Sequence, residues 1–196
     1  MPAADTATST TTSTTDTDTT TASTTAGHRS LSAERRDLIE TLDAHREFLR
    51  TTARGLTDAQ AAETSTVSAL SVGGLIKHVA FVESGWADFI VFGTEGLGGG
   101  DEAGYAAHLD SFRMNEGETL TGLLERYDEV ARRTDELVAT LPDLDASHPL
   151  PEAPWFEPGA SRSARRVFLH IVAETAQHAG HADIIREAID GSRTMG

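Results

Sequence analysis

HIVAETAQHAGHADIIREAIDG, residues 170–191, is the stretch on which the reading of this chain turns. At 3.6 residues per turn, each step along a helix rotates by about 100°. On that wheel Val167, Ile171, Ile185 and Ile189 gather within a few tens of degrees of one direction, which predicts a helix from near Ser163 to just before Gly191. Glu174 and His178 project into the middle of the same apolar arc; His181 lies nearby and His170 sits towards one edge. A carboxylate and an imidazole in a buried stripe need partners, because an unpaired buried charge costs several kcal/mol. Residues at i and i+4 are stacked neighbours, so Glu174 and His178 can converge on one metal ion. A Glu–His hydrogen-bonded pair, or a patch closed by an arginine from another helix, satisfies the same spacing.

Three more amphipathic segments precede this one. The first runs from an N-cap at Ser32 to Arg54, with Gly55 placed to end it and Leu38, Leu42, His45, Leu49 and Ala53 along one face. Thr57-Asp58-Ala59-Gln60 has the form of a capping box and predicts a short extra turn. The second long segment starts after Ser71 and reaches Phe92, with an apolar stripe from Val72 to Ile90. His78 sits at the edge of that stripe. Glu83, on its opposite flank, fits either an acceptor behind a metal ligand or a surface charge, and the surface charge is the favoured reading. The third runs from Thr119 to Leu141 and is stopped by Pro142. Between the second and third, TEGLGGGDEAG breaks the pattern, so residues 93–117 are expected to form a long irregular connection, a kind of segment that is often functional. No strand-period pattern occurs. Four such helices imply an all-α protein, an antiparallel four-helix bundle over residues 31–190.

Residues 1–29 are Thr, Ser and Ala with scattered Asp and nothing large and apolar. Such a segment cannot bury enough surface to offset the entropy of ordering, so a disordered tail is expected there, with the folded domain at 30–196. The 196 residues carry 31 acidic against 16 basic side chains, a net charge of −15. That charge disfavours binding to nucleic acid or to an anionic membrane. No apolar run is long enough to span a bilayer, and MPAADTATST lacks the pattern of a secretory leader, so a cytoplasmic location is expected. The absence of cysteine removes a protein thiol as nucleophile or ligand; any sulfur chemistry has to use a thiol brought by a small molecule. A P-loop, a dinucleotide fingerprint and a nucleophile elbow are all missing.

SVGGLIKHVAFVESGW (residues 71–86) followed by HIVAETAQHAGHADIIREAIDG resembles the DinB-like superfamily of metal-binding helical bundles, most closely its actinobacterial branch. That superfamily includes mycothiol-dependent maleylpyruvate isomerase and the bacillithiol and mycothiol S-transferases. The resemblance implies a divalent metal held by His78, Glu174 and His178, in the Glu-containing version of the family's ligand set; His181, at i+3 from His178, is by its spacing an alternative ligand in place of Glu174. Arg166 departs from the tryptophan expected in close relatives, which touches local packing more than the metal. Three protein ligands leave a position open, the arrangement of reactive sites. His and carboxylate ligation suits zinc or nickel foremost, with iron and manganese also admissible. The resemblance further implies a small-molecule substrate, mycothiol or another low-molecular-weight thiol as cofactor, and a homodimer. Two function classes follow: a metal-dependent transferase or isomerase acting with that thiol, or a non-catalytic metal-containing stress-response or binding protein. A hydrolase using metal-bound water is a third and weaker fit.

Overall fold

The computed structural model describes residues 31–98 and 102–194 of the chain. The tail expected at 1–29 lies outside the described residues. Each long helix begins where its sequence signal placed it. Ser32, Ser71, Thr119 and Ser163 are N-caps whose hydroxyls accept from the backbone N–H three residues on. They open α1 (Ala33–Ala53), α3 (Val72–Phe92), α5 (Leu120–Thr140) and α6 (Ala164–Asp190). Thr57 and Gln60 close the predicted capping box at the head of the short helix α2 (Asp58–Ala62). Gly191, at φ 78°, ends α6 in the left-handed conformation.

The four long helices make the predicted bundle, and side-chain pairs fix their directions. Arg35 at the start of α1 donates to the carbonyls of Val138 and Leu141 at the end of α5, so these two run antiparallel. α3 and α6 are also antiparallel, with His78 against His178 and Trp86 against His170. α1 and α6 run parallel, tied by Glu34–Arg165 at one end and by Arg186 to the Thr52 carbonyl at the other. α3 and α5 are parallel too, linked by Lys77–Glu118 and Asp88–Arg133. A parallel pair in sequence order requires a long crossover that returns the chain to its starting end.

That crossover corrects one expectation. The segment read as irregular contains a 3₁₀ turn at Gly93–Leu97 and a helix, α4 (Glu102–Ser111). Its periodicity was invisible because α4 buries only Ser111 among its described side chains and has no apolar stripe to betray it. The connection between α5 and α6 carries a further departure. Ser147–Pro149 and Ser161–Ser163 pair as two short antiparallel strands, β1 and β2, too brief to show alternation.

The core is two apolar clusters separated by a polar layer. One cluster joins Leu49, Leu75, Ile76, Val79, Leu123, Tyr127 and Ile185; the other joins Leu42, Trp86, Phe89, Val138, Val167, Phe168 and Ile171. Between them lies Arg46, fully buried, with its Nη2 2.6 Å from Oε1 of the equally buried Glu83. Arg46 Nη1 also reaches Asp135 at 2.8 Å and Asp43 at 3.0 Å. Burial works against the guanidinium charge, and Glu83 followed by Asp135 more than offsets it, so Arg46 is held protonated. Two sequence readings are corrected here. Glu83 is a core residue, not a surface charge, and Arg46 takes the inward position assigned to His45, which is half-buried. An apolar wheel assigns charged residues outward, and only the partner on another helix shows that the charge is matched inside.

Candidate metal centre

His78 lies on the second turn of α3, one turn beyond the Gly73–Gly74 pair. Those glycines are what admit the crossover to this helix. A Cβ on Gly74 would stand 2.1 Å from the carbonyl oxygen of Phe112, and one on Gly73 would stand 2.8 Å from the Met114 sulfur. Without side chains there, the backbone just past α4 lies directly on α3. Lys77, the chain's only lysine, fastens the same segment, its Nζ 3.1 Å from Asp110 Oδ2, the Arg113 carbonyl and Glu118. The result surrounds His78, which is only 2% exposed. Phe112 stacks on its ring at 3.7 Å with planes 19° apart, Ser111 Oγ lies 2.8 Å from Nδ1, and the His108 ring is 5.3 Å away edge-on.

His178 faces this group from α6. It is buried, its ring centre 4.9 Å from that of His78 with planes 79° apart. Its Nε2 lies 3.5 Å from Oε2 of Glu174, the i, i+4 neighbour. Its Nδ1 lies 3.4 Å from Nδ1 of His181. Glu174 is at the rim rather than the centre of the buried face: its side chain is 29% exposed, and the inward position is Thr175. His170 is not part of the group; it packs edge-on against Trp86, 4.7 Å between ring centres. Arg166, where a tryptophan was expected, is exposed beside the buried Val167 and Phe168.

The electrostatics favour the neutral forms of His78 and His178. Burial, then the neighbouring His178 and His108, push the His78 pKa down to about 3. Burial and then His181 lower that of His178. Neutral imidazoles beside a carboxylate are a donor set for a divalent ion. Two imidazoles bound to one ion through bonds of about 2.1 Å, at angles of about 90–110°, hold their ring centres roughly 4.5–5.2 Å apart. The His78–His178 separation of 4.9 Å falls inside that window. Among the described residues no three His, Asp or Glu side chains stand in a complete ligand geometry; the donors meet in pairs, each of them with His178.

Sequence reasoning singled out His78, Glu174, His178 and His181, and the structure sets His178 beside each of the other three. It missed His108, Ser111 and Phe112. The signal available for them was the length of the 93–117 connection, with a histidine inside it, opposite a histidine-bearing helix.

A bundle of this topology with histidines facing across α3 and α6 is a DinB-like protein. The family model for mycothiol-S-transferase matches residues 37–191, and the chain belongs to that family. Among solved structures, a conserved protein from Enterococcus faecalis is similar in fold at a TM-score of 0.56 and 16% identity, covering 80% of this chain and 97% of that one. No curated protein sequence matches the chain.

Proposed function

We propose that this protein is a metal-dependent thiol transferase or isomerase, in which His78, Glu174 and His178 hold a divalent ion and a low-molecular-weight thiol of the mycothiol kind is the cofactor. The observation that carries the reading is the 4.9 Å edge-on approach of two buried, neutral imidazoles from different helices, with a carboxylate 3.5 Å from one of them. A divalent ion of the zinc or nickel type, bound there with a position open, supplies a Lewis-acid site that lowers the pKa of an incoming thiol.

The chain's own residues do the rest. Ser111 and Phe112 lie against His78, and Glu174, His108 and His181 are the more exposed side chains of the group. His108 is exposed on α4, and His181 is half-buried on α6. In transfer, either imidazole can take the thiol's proton; as the sulfur's electron pair forms a bond to an electrophilic carbon, that carbon's leaving group departs with its own bonding pair and can take the proton back from the imidazole. With no cysteine in the chain, nothing of the protein's own competes as nucleophile. No helix among the described residues is long and apolar enough to cross a membrane, and the thiol chemistry proposed draws on the reduced pool of the cytoplasm.

The test is a thermal-unfolding series on zinc-loaded protein with mycothiol. A thiol at a hundred times its dissociation constant adds about 2.7 kcal/mol of stability. The expected result is stabilisation that vanishes when the ion is removed by a chelator. Stabilisation of the metal-free protein to the same extent, or none in either form, contradicts the proposal.

A further inference from the structure

We infer that Ser111 is a positioning residue that holds His78 as its Nδ1–H tautomer and thereby presents Nε2 as the metal-binding nitrogen. The inference rests on the metal reading above and adds a residue to it from the crossover helix.

A serine hydroxyl has one proton to give. The Ser111 oxygen lies 2.6 Å from the backbone carbonyl of His108, and a carbonyl can only accept. That carbonyl sits in the last turn of α4, where helix carbonyls lose their intrahelical donors. The amide that would normally serve it, on Phe112, turns instead to the Leu109 carbonyl at 3.4 Å. The hydroxyl proton is therefore committed to His108, and the oxygen offers His78 Nδ1 a lone pair at 2.8 Å. Only a protonated Nδ1 makes that contact favourable, and a neutral imidazole with Nδ1–H keeps its lone pair on Nε2. Ser111 and His78 are each 2% exposed, so water does not compete for either partner. Phe112 stacked at 3.7 Å fixes the ring plane, and Gly74 beneath it sets how closely the segment approaches. A histidine whose outer nitrogen donates to a fixed acceptor is the usual device for orienting a metal ligand.

The test begins with the metal-free full-length chain labelled with ¹⁵N-histidine, read by long-range ¹H–¹⁵N NMR, with the His78 signals identified by their loss in His78→Gln. Wild type is expected to show Nδ1 protonated and Nε2 not. Ser111→Ala is expected to shift the His78 signals to a mixture containing Nε2–H, and Ser111→Thr, which keeps a hydroxyl, to restore the wild-type pattern. In the second arm, competition with a chromophoric chelator is expected to show zinc affinity lowered by roughly 10–100-fold in Ser111→Ala. A wild-type His78 with Nε2–H, or a Ser111→Ala pattern identical to wild type, overturns the inference. The tautomer arm needs no metal, so a wild type with the expected tautomer and no zinc binding defeats the metal reading alone.

Discussion

Replacing Gly74 with alanine places a methyl group 2.1 Å from the Phe112 carbonyl oxygen and 2.7 Å from its carbon. Both atoms are backbone, so neither swings aside cheaply. Reaching ordinary contact at 3.4 Å requires the segment to retreat by about 1.3 Å. Ser111 is the preceding residue, and its 2.8 Å contact to His78 does not survive such a shift. Overpacking of this kind costs about 1–3 kcal/mol. The lost buried hydrogen bond adds about 1 kcal/mol, and the better helix propensity of alanine returns about 1 kcal/mol. The net expectation is destabilisation of about 1–3 kcal/mol, or roughly 2–12 °C in melting temperature for a domain of this size. Gly85 is the internal control. It lies in the same helix with nothing within 4 Å of a built Cβ, so Gly85→Ala is expected to stabilise by about 0.5–1 kcal/mol. Urea melts of the metal-free proteins measure both, and chelator competition reads the centre, where Gly74→Ala alone should weaken zinc. If Gly74→Ala matches Gly85→Ala in stability and zinc affinity, the close seating of the crossover on α3 is wrong.

Glu83→Ala leaves the Arg46 charge buried with Asp135 and Asp43 as its remaining acids; it is expected to cost about 3 kcal/mol, the low end for a broken buried pair, and a urea melt giving under about 1 kcal/mol contradicts that. Removing residues 1–29 is expected to leave melting temperature and metal content unchanged, and a clear loss of either would show that the segment contributes to the fold. Because the native His78 pKa of about 3 lies below its unfolded value of 6.5, the unfolded chain binds more protons between those values. Metal-free protein should therefore be fully stable above about pH 6.5 and lose stability as the pH falls towards 3. His78→Gln should flatten that slope in pH-dependent melts, and an unchanged slope would place the titrating group elsewhere.

Wherever a helix buries an apolar stripe, as α3, α5 and α6 do, period and capping residues located it to within a residue or two. The polar layer was not legible: Arg46 sits between Leu42 and Leu49, and on its own helix nothing distinguishes it from a solvated charge until Glu83 is brought opposite. The same limit explains Glu174, whose place at the rim depends on where α3 crosses α6. α4 escaped notice because it buries only Ser111 among its described side chains and so carries no apolar stripe. Its contacts with His78 are local: the Ser111 hydroxyl, itself bonded to the His108 carbonyl, and the His108 ring edge-on, with the Phe112 ring just past the helix stacked on the imidazole. Glu174 and His178 stand out as a polar i, i+4 pair on an apolar face with His181 one turn beyond, whereas His78 joins them as a candidate through the resemblance to the DinB-like superfamily.

The central claim is that one ion is shared between α3 and α6, and metal content of the purified protein tests it most directly. Wild type should carry close to one equivalent of a transition metal by elemental analysis, and His78→Ala, Glu174→Ala and His178→Ala should each remove most of it. His181→Ala is the decisive comparison, since its Nδ1 already lies 3.4 Å from that of His178 and its ring can stand in for Glu174. Loss of metal in His181→Ala with retention in Glu174→Ala would move the third ligand to His181 and leave the centre intact. Wild-type metal content in all four variants would contradict the account, leaving the buried histidines as a structural cluster.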